Sequence, residues 1–288
     1  VEGRSRRREE EWMRRFHLLA GALALAFSLA AVGGAAARSQ ADTLRIEADM
    51  VAANETPTPK GDVGNAQGTF TATLTKSGSG GQLSWRLAFS GLTGNATAAH
   101  IHVGAAGVAG PVRVPLCAPC TSGATGTATI TAEVLDAIMT GRAYVNVHTP
   151  TNPAGEIRDQ VAAVGSIRTT LRASQERPKP KGKLAKAKGT FTATVSRTGD
   201  TGAITWRLTF SKLNGRAIAA HIHSGARGKA GAVIVPLCAP CRSGAHGKAT
   251  VTASVLDALE SGKTYVNVHT KQNPAGEIRG QIAAVPLT

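Results

Sequence analysis

The stretch GTFTATLTKSGSGGQLSWRLAF, residues 68–89, alternates apolar and polar side chains on both sides of a glycine-rich segment. Phe70, Ala72 and Leu74 share one face of the first run, and the apolar residues within 83–89 share one face of the second. Because successive side chains of a strand point to opposite faces, both runs are predicted strands with one buried side. The SGSGG segment between them is typical of a turn, so the stretch predicts a β-hairpin packed on a core.

The hairpin sequence is part of a unit that occurs twice, at a constant offset of 121 residues. The repeated blocks are GTFTAT at Gly68 and Gly189, PLCAPC at Pro115 and Pro236, YVNVHT at Tyr144 and Tyr265, and NPAGEIR at Asn152 and Asn273. A period this long indicates tandem domains rather than a solenoid. We expect copy 1 to span residues 42–165 and copy 2 to span residues 166–288, with almost no linker between them.

Each copy continues with further short alternating segments: AAHIHVG, GPVRVPL, GTATITA, AYVNVHT and GEIRDQVAAV in copy 1. EVLDAIMTG breaks the alternation and predicts a short helix that ends before Gly141. About seven short strands separated by turns favour an all-β fold, a Greek-key-type β-sandwich in each copy. Aromatic residues make up only 4% of the chain, so the cores must consist mainly of Val, Leu, Ile and Ala.

Residues 1–41 differ from the rest of the chain and resemble a secretory signal peptide. From Met13, the expected initiator, two arginines precede an apolar run over 18–32 and a small-residue segment with cleavage options after Ala37 or Ala41. The apolar run is shorter than the ~20 residues of a membrane-spanning helix. We therefore expect a secreted, periplasmic or cell-surface protein with no membrane span after cleavage.

The four cysteines form two CAPC motifs, Cys117 with Cys120 and Cys238 with Cys241. An exported protein enters an oxidising compartment, which favours one local disulfide in each motif. Two alternatives remain open: a redox-active cysteine pair, and a four-cysteine zinc site shared between the copies.

Six of the eight histidines lie in repeated strand motifs. His100 and His102 share one face of their strand, and His148 lies on the polar face of AYVNVHT together with Tyr144 and Asn146. We expect these faces to point outward or to lie at the rim of the sandwich. The equivalent residues of copy 2 are His221, His223 and His269. If the strands are neighbours, each copy offers three imidazoles that suit copper or zinc; the alternative is that they hydrogen-bond to loop backbone.

Backbone carbonyl groups and three further residues of each copy are candidates to support the histidines. The residues are Asn146, Glu156 and Arg158 in copy 1, and Asn267, Glu277 and Arg279 in copy 2. Glu156 and Arg158 are two residues apart, which predicts a weak ion pair at the sheet edge. Glu156 has no second carboxylate at a spacing typical of an acid/base pair, and the sequence contains neither a serine in a nucleophile-elbow context nor a phosphate-binding glycine loop. The pattern therefore yields no catalytic residues and favours a non-catalytic function without deciding it.

Charge is distributed unevenly between the copies. Residues 42–165 contain 7 basic and 9 acidic residues, whereas residues 166–288 contain 19 basic and 5 acidic residues. This asymmetry has two interpretations: the basic residues of copy 2 form a solvated surface, or copy 2 contacts a polyanion or an anionic surface. Aromatic residues do not interleave the basic ones, so sequence-specific nucleic-acid binding is not expected.

The segments AAHIHVGAAGVAGPV, YVNVHT and NPAGEIRDQV resemble the chordin-domain (CHRD) family, and copy 2 resembles it equally through AAHIHSGARGKAGAV, YVNVHT and NPAGEIRGQI. The resemblance covers residues 44–285. It implies secreted β-sandwich domains and a binding or structural module of the cell envelope or exterior, with a partner that the sequence does not identify.

A fainter resemblance is to copper/zinc superoxide dismutase, through HIH, VNVH and NPAGEIRGQI. It implies copper positions at His100, His102 and His148, and at their three equivalents in copy 2. The zinc-binding loop and the bridging histidine of that family have no counterpart here, and Arg158 is offset from the position of its arginine. The resemblance therefore implies a metal site, and these departures argue against dismutation.

Overall fold

Both copies are built almost entirely from strands in the computed structural model, which describes residues 43–288. Copy 1 comprises β1 (Thr43–Val51), β2 (Gln67–Ser77), β3 (Gly80–Ser90), β4 (Ala98–Val103), β5 (Val112–Cys117), β6 (Thr125–Ile130), α1 (Ala132–Met139), β7 (Ala143–His148) and β8 (Ile157–Gln160). Copy 2 comprises β9 (Ala162–Arg172), β10 (Lys188–Thr198), β11 (Thr201–Ser211), β12 (Ala217–Ser224), β13 (Val233–Cys238), β14 (Ala245–Thr252), α2 (Ala253–Glu260), β15 (Thr264–Thr270) and β16 (Ile278–Ile282). The predicted signal segment, residues 1–41, lies outside the described residues.

The strands of each copy form two antiparallel layers. In copy 1 the strand orders are β6-β3-β2-β1 and β5-β4-β7-β8, and in copy 2 they are β14-β11-β10-β9 and β13-β12-β15-β16. The connections from β3 to β4 and from β5 to β6 lead from one layer to the other, as in a Greek key. The all-β, two-domain sandwich predicted from the sequence is confirmed.

The predicted hairpin is the centre of the first layer. β2 pairs with β3 from Gln67 opposite Ser90 to Ser77 opposite Gly80. Its alternation places Phe70, in common with the apolar side chains of β3, in the core that the second layer closes. Burial of such a side chain stabilises the fold by roughly 1.5–3 kcal/mol. Each copy has its own hydrophobic core.

The first strand, β1, was not among the predicted strands, although Leu44, Ile46 and Met50 alternate into the core. The last segment of copy 1 and the first strand of copy 2 are one continuous strand, β9. Residues 162–164 pair with β1, and residues 163–172 pair with β10. The boundary predicted between residues 165 and 166 lies inside this shared strand.

The predicted helix is α1. The Thr131 hydroxyl accepts a hydrogen bond from the Val134 amide at its start, which satisfies one of the free amides of the first turn. Gly141, just beyond its end, has a φ of 71°, which glycine adopts without steric cost. Within residues 43–288, no helix has the length and apolar character needed to cross a membrane.

Candidate metal centre

The three histidines of copy 1 lie on one face of two neighbouring strands. β4 pairs antiparallel with β7, which sets His100 opposite Asn146 and His102 opposite Tyr144. Opposite residues of an antiparallel pair share a face, and His148 joins them because it lies two residues beyond Asn146. The strand pairing brings together residues that the sequence could place only on separate strands.

The potential ligand nitrogens of His100, His102 and His148 all lie within 4.8 Å of one another. The closest pair is His100 Nδ1 and His148 Nε2, which are 3.0 Å apart. We name this cluster site 1. Site 2, formed by His221, His223 and His269, has the same arrangement.

Backbone carbonyl groups fix which ring nitrogens of site 1 carry hydrogen. His102 Nδ1 lies 2.8 Å from the carbonyl oxygen of Gly110, and His148 Nδ1 lies 3.0 Å from that of Pro153. A carbonyl oxygen can only accept, so each Nδ1 donates, and in the neutral ring Nε2 retains its lone pair. His102 Nε2 is buried and has no hydrogen-bond partner among the described residues.

Site 2 repeats each of these contacts. His223 Nδ1 is 3.0 Å from the carbonyl oxygen of Gly231, His269 Nδ1 is 2.9 Å from that of Pro274, and His221 Nδ1 is 3.1 Å from His269 Nε2. His223 Nε2 is again buried with no partner in the described part of the chain. The arrangement thus does not depend on the loop residues in which the copies differ.

The imidazoles of site 1 are held in their neutral form. Burial, with the neighbouring His148 and His102, lowers the pKa of His100 to about 4. Burial also lowers the pKa of His102 and of His148 below the ordinary value of 6.5. In site 2 burial lowers the pKa of His221 and His269. Lone pairs are therefore available at neutral pH, as metal binding requires.

The sequence model of the CHRD domain family matches residues 46–161 and 167–282, one match for each copy. The chain belongs to the CHRD domain family. No curated protein and no solved structure matches the chain. Tandem CHRD domains form a binding or structural module, and we refer to the copies as the first and second CHRD domains.

The histidine face of the first CHRD domain lies opposite the core, as expected, because Val145 and Val147 take the core side of β7, but it is covered rather than exposed to solvent. Every residue of β7 is buried, Tyr144, Asn146 and His148 included. Loops that supply the carbonyl groups of Gly110 and Pro153 cover this face. Alternation identifies the face on which a polar residue lies, but a polar face can be buried wherever loops satisfy its hydrogen bonds.

Arg158 holds the loop that covers the histidine face. Its guanidinium carbon lies 3.3 Å from the centre of the Tyr144 ring, and that ring stacks on His102 at 4.8 Å between centroids. Arg158 Nη2 donates to the carbonyl oxygen of Ala105 at 2.8 Å and to Gln160. Arg158 is only 1% exposed, so its charge is not presented to solvent. Arg279 and Tyr265 form the same stack in the second domain.

The expected ion pair between Glu156 and Arg158 is not formed. Glu156 accepts hydrogen bonds from the side chains of Thr149 and Asn152, at 2.6 and 2.9 Å, and from the Thr93 amide at 2.6 Å. Although burial raises it, these hydrogen bonds hold the pKa of Glu156 below its ordinary value. Glu156 lies just before β8 and turns toward the preceding loop, which it holds in place. Glu277 repeats the arrangement in the second domain.

Two buried carboxyl groups beside the sites, Glu55 and Glu176, were not among the candidates predicted from the sequence. Each accepts a hydrogen bond from the following backbone amide through Oε1, whereas each Oε2 is buried without a partner in the described residues. A Cβ atom at Gly155 would overlap Glu55, so glycine allows this close approach. Burial raises the pKa of Glu55 above its ordinary value, and that of Glu176 to about 7. Glutamate occupies the same position in both copies, although most other charged residues of this loop differ between them. That match was the signal in the sequence that could have identified the two carboxyl groups.

The structure contains the two expected local disulfides, Cys117–Cys120 and Cys238–Cys241. No free cysteine is found within the described residues. Disulfides persist in oxidising compartments, and CHRD domains are of an extracellular type.

Proposed function

We propose that the protein is an exported binding module in which each CHRD domain holds one copper or zinc ion through its three histidines. The observation that carries the proposal is the buried, unpartnered Nε2 of His102 and its repetition at His223. A buried nitrogen without a partner costs about 1–3 kcal/mol. A metal ion would remove that cost in both domains.

The donor set and its surroundings fit such an ion. Neutral imidazoles are ligands for copper and zinc, and a metal-bound histidine usually donates its other N–H to a carbonyl oxygen or carboxylate. His102 and His148 already make those outer contacts. Tetrahedral ligands at ~2.0–2.1 Å from zinc lie about 3.3 Å from one another. The 3.0 Å separation of His100 Nδ1 and His148 Nε2 therefore needs little change.

Ion binding has one chemical requirement in site 1. The hydrogen shared between His100 Nδ1 and His148 Nε2 must leave the space between them, because both nitrogens would become ligands. The neutral His100 ring can carry that hydrogen on its Nε2 instead. The exchange of tautomers leaves both ligand nitrogens unprotonated.

The surroundings support binding rather than superoxide dismutation. Arg158 is buried beneath Tyr144 and donates to backbone, so it offers no exposed charge to an approaching anion. Metal-compatible clusters of three or more side chains within residues 43–288 are limited to sites 1 and 2. A second ion next to either site has no comparable set of described ligands.

Elemental analysis after exposure to copper or zinc and dialysis tests the proposal. We expect about two equivalents per chain, about one in His100→Ala, and close to none when His221→Ala is added. His246→Ala, an exposed histidine outside both sites, is the matched control and should retain both equivalents. Less than about half an equivalent per domain, or a content unchanged in the double variant, contradicts the proposal.

Export is supported by the predicted signal segment and by the two disulfides. Expression of the full chain with separation of cell and exterior fractions tests it. Recovery of a chain that keeps its first residues and remains in the cytosol contradicts this part of the proposal.

A further inference from the structure

Each domain has a groove beside its first strand. The groove of the first domain is lined by neutral residues, and that of the second domain includes cationic ones. In the first domain the groove is lined by the end of β1 and by the loop 55–67, including Val51, Thr58 and Pro59. In the second domain it is lined by the equivalent segments, including Arg172, Lys179 and Pro180. The two grooves therefore differ in charge at positions that are structurally matched.

The loops that form the two grooves are held by the same contacts. Asn152 Oδ1 accepts a hydrogen bond from the Lys60 amide at 2.6 Å, and Asn273 Oδ1 accepts one from the Lys181 amide at the same distance. The buried Glu55 and Glu176 hydrogen-bond to the amides that follow them. Because these anchors are internal, the outward residues of the loop can change without changing its path.

The groove of the second domain presents positive charge that no neighbouring carboxylate neutralises. Its exposed cations, with those of the adjoining loop, are Arg172, Arg177, Lys179, Lys181, Lys183, Lys186 and Lys188. None of them forms a salt bridge within the described residues. The nearest acid in sequence, Glu176, is 1% exposed and directed inward. We name this surface the basic groove.

One cation of the basic groove is already oriented. The Arg177 guanidinium donates through Nη1 to the carbonyl oxygens of Ser174 and Glu176, at 3.2 and 2.7 Å. These acceptors fix the side chain but do not cancel its charge. Clustered like charges repel one another, and a bound anion relieves that repulsion. The ordering cost is reduced at Arg177, whose side chain is already held.

The composition of the basic groove limits the class of anion. Residues 172–188 contain no aromatic side chain on which a base could stack. The exposed large hydrophobic residues of the described chain, such as Val108 and Val233, all lie outside this segment, so it has no apolar anchor for a bilayer. A row of exposed cations along a groove instead fits repeated oxyanions on an extended chain.

We propose that the basic groove binds a soluble linear polymer that carries phosphate or sulphate groups. Arg172, Arg177 and Lys179 contact the oxyanions directly, and the four neighbouring lysines add long-range attraction. This function is independent of the metal sites. It assigns the second domain a ligand that the neutral groove of the first domain cannot hold.

Fluorescence anisotropy with labelled polyphosphate and labelled heparin, titrated across NaCl concentrations with a chelator present, tests the proposal. The groove variant Arg172→Val/Arg177→Thr/Lys179→Thr introduces the residues of the first domain, which are known to fit this loop. We expect affinity to fall at least about tenfold at low salt, and the slope of log K against log salt to fall by about 2, since each lost contact removes about 0.7.

Two further variants keep the test decisive. Arg227→Ala/Arg242→Thr/Lys248→Thr changes three exposed cations outside the groove to the residues of the first domain. It should leave affinity within about twofold at about 150 mM NaCl, where charges more than about 8 Å from the polymer are largely screened. Val51→Arg/Thr56→Arg/Thr58→Lys transfers the cations to the first domain and should increase affinity.

Several results would overturn the proposal. They are an equal loss in the groove variant and the control variant, no binding of either polymer at low salt, or binding only to vesicles that contain phosphatidylserine. Tighter binding of polyphosphate or of heparin identifies which oxyanion the groove prefers. The variant His100→Ala/His221→Ala should bind the polymers normally, so failure of the metal proposal and failure of this one are distinguishable.

Discussion

Replacing Glu176 by glutamine is expected to change how the stability of the second CHRD domain depends on pH. Burial raises the pKa of Glu176 from 4.5 to about 7, against the opposing effects of its hydrogen bond to the Arg177 amide and of the Arg279 charge. The carboxyl group is 1% exposed, so screening by solvent is small. At 1.36 kcal/mol per pKa unit, the interval corresponds to about 3 kcal/mol of unfolding free energy.

The sign follows from the raised pKa. The folded protein binds this proton more tightly than the unfolded chain does, so the contribution of Glu176 to stability is fully present below pH 4.5. It is lost as the pH rises toward 7. Glutamine resembles the protonated carboxyl group in shape and cannot ionise, so Glu176→Gln removes this dependence on pH.

Urea unfolding of both proteins at pH 4.5 and pH 8, followed by circular dichroism, measures the effect. The difference in unfolding free energy between Glu176→Gln and the unmodified protein should shift by about 3 kcal/mol in favour of the variant at pH 8. The histidines titrate in both proteins and cancel in this difference. Asp200→Asn, at an exposed turn, is the control and should show no comparable shift. A difference for Glu176→Gln that is the same at both pH values refutes the reasoning.

Three further changes have expected outcomes that depend on local geometry. Lys212 has a φ of 57°, which costs a residue with a Cβ atom about 1 kcal/mol, so Lys212→Gly should stabilise the second domain by roughly that amount in urea unfolding. Its counterpart Gly91→Ala should destabilise the first domain, because a Cβ atom there would overlap the Asn65 carbonyl group; an unchanged unfolding midpoint contradicts this. Removal of the Cys238–Cys241 disulfide by substitution of both residues with serine should cost about 2 kcal/mol, the chain-entropy value for so short a loop, and a loss above about 5 kcal/mol would show that it does more than close the loop.

The strands follow directly from the sequence wherever one face is apolar. Alternation over residues 68–89 predicts β2 and β3 almost residue for residue, and the constant repeat offset extends the prediction to β10 and β11. β1 alternates equally well but was not singled out. It lies next to the predicted signal segment, and residues 52–66 separate it from β2, the strand with which it pairs.

The environment of the metal sites could not be predicted in the same way. The sequence identifies the six histidines, but not the loops that bury them, because those loops are fixed by contacts between distant residues. Asn152 holds Lys60 across 92 positions, and Arg158 reaches Ala105 across 53. The carbonyl groups of Gly110 and Pro153, which set the histidine tautomers, leave no trace in side-chain patterns. Among the predicted supports, which were Asn146, Glu156 and backbone carbonyl groups, it is the carbonyl groups that accept hydrogen bonds from His102 and His148.

Anomalous X-ray scattering from crystals grown with zinc or copper tests the central claim most directly. We expect one peak in each domain, about 2.0–2.1 Å from His100 Nδ1, His102 Nε2 and His148 Nε2 in the first domain, and from the equivalent atoms in the second. The outer hydrogen bonds from His102 and His148 to the carbonyl groups of Gly110 and Pro153 should remain. Peaks elsewhere on the surface, with His100 still hydrogen-bonded to His148, would contradict the account.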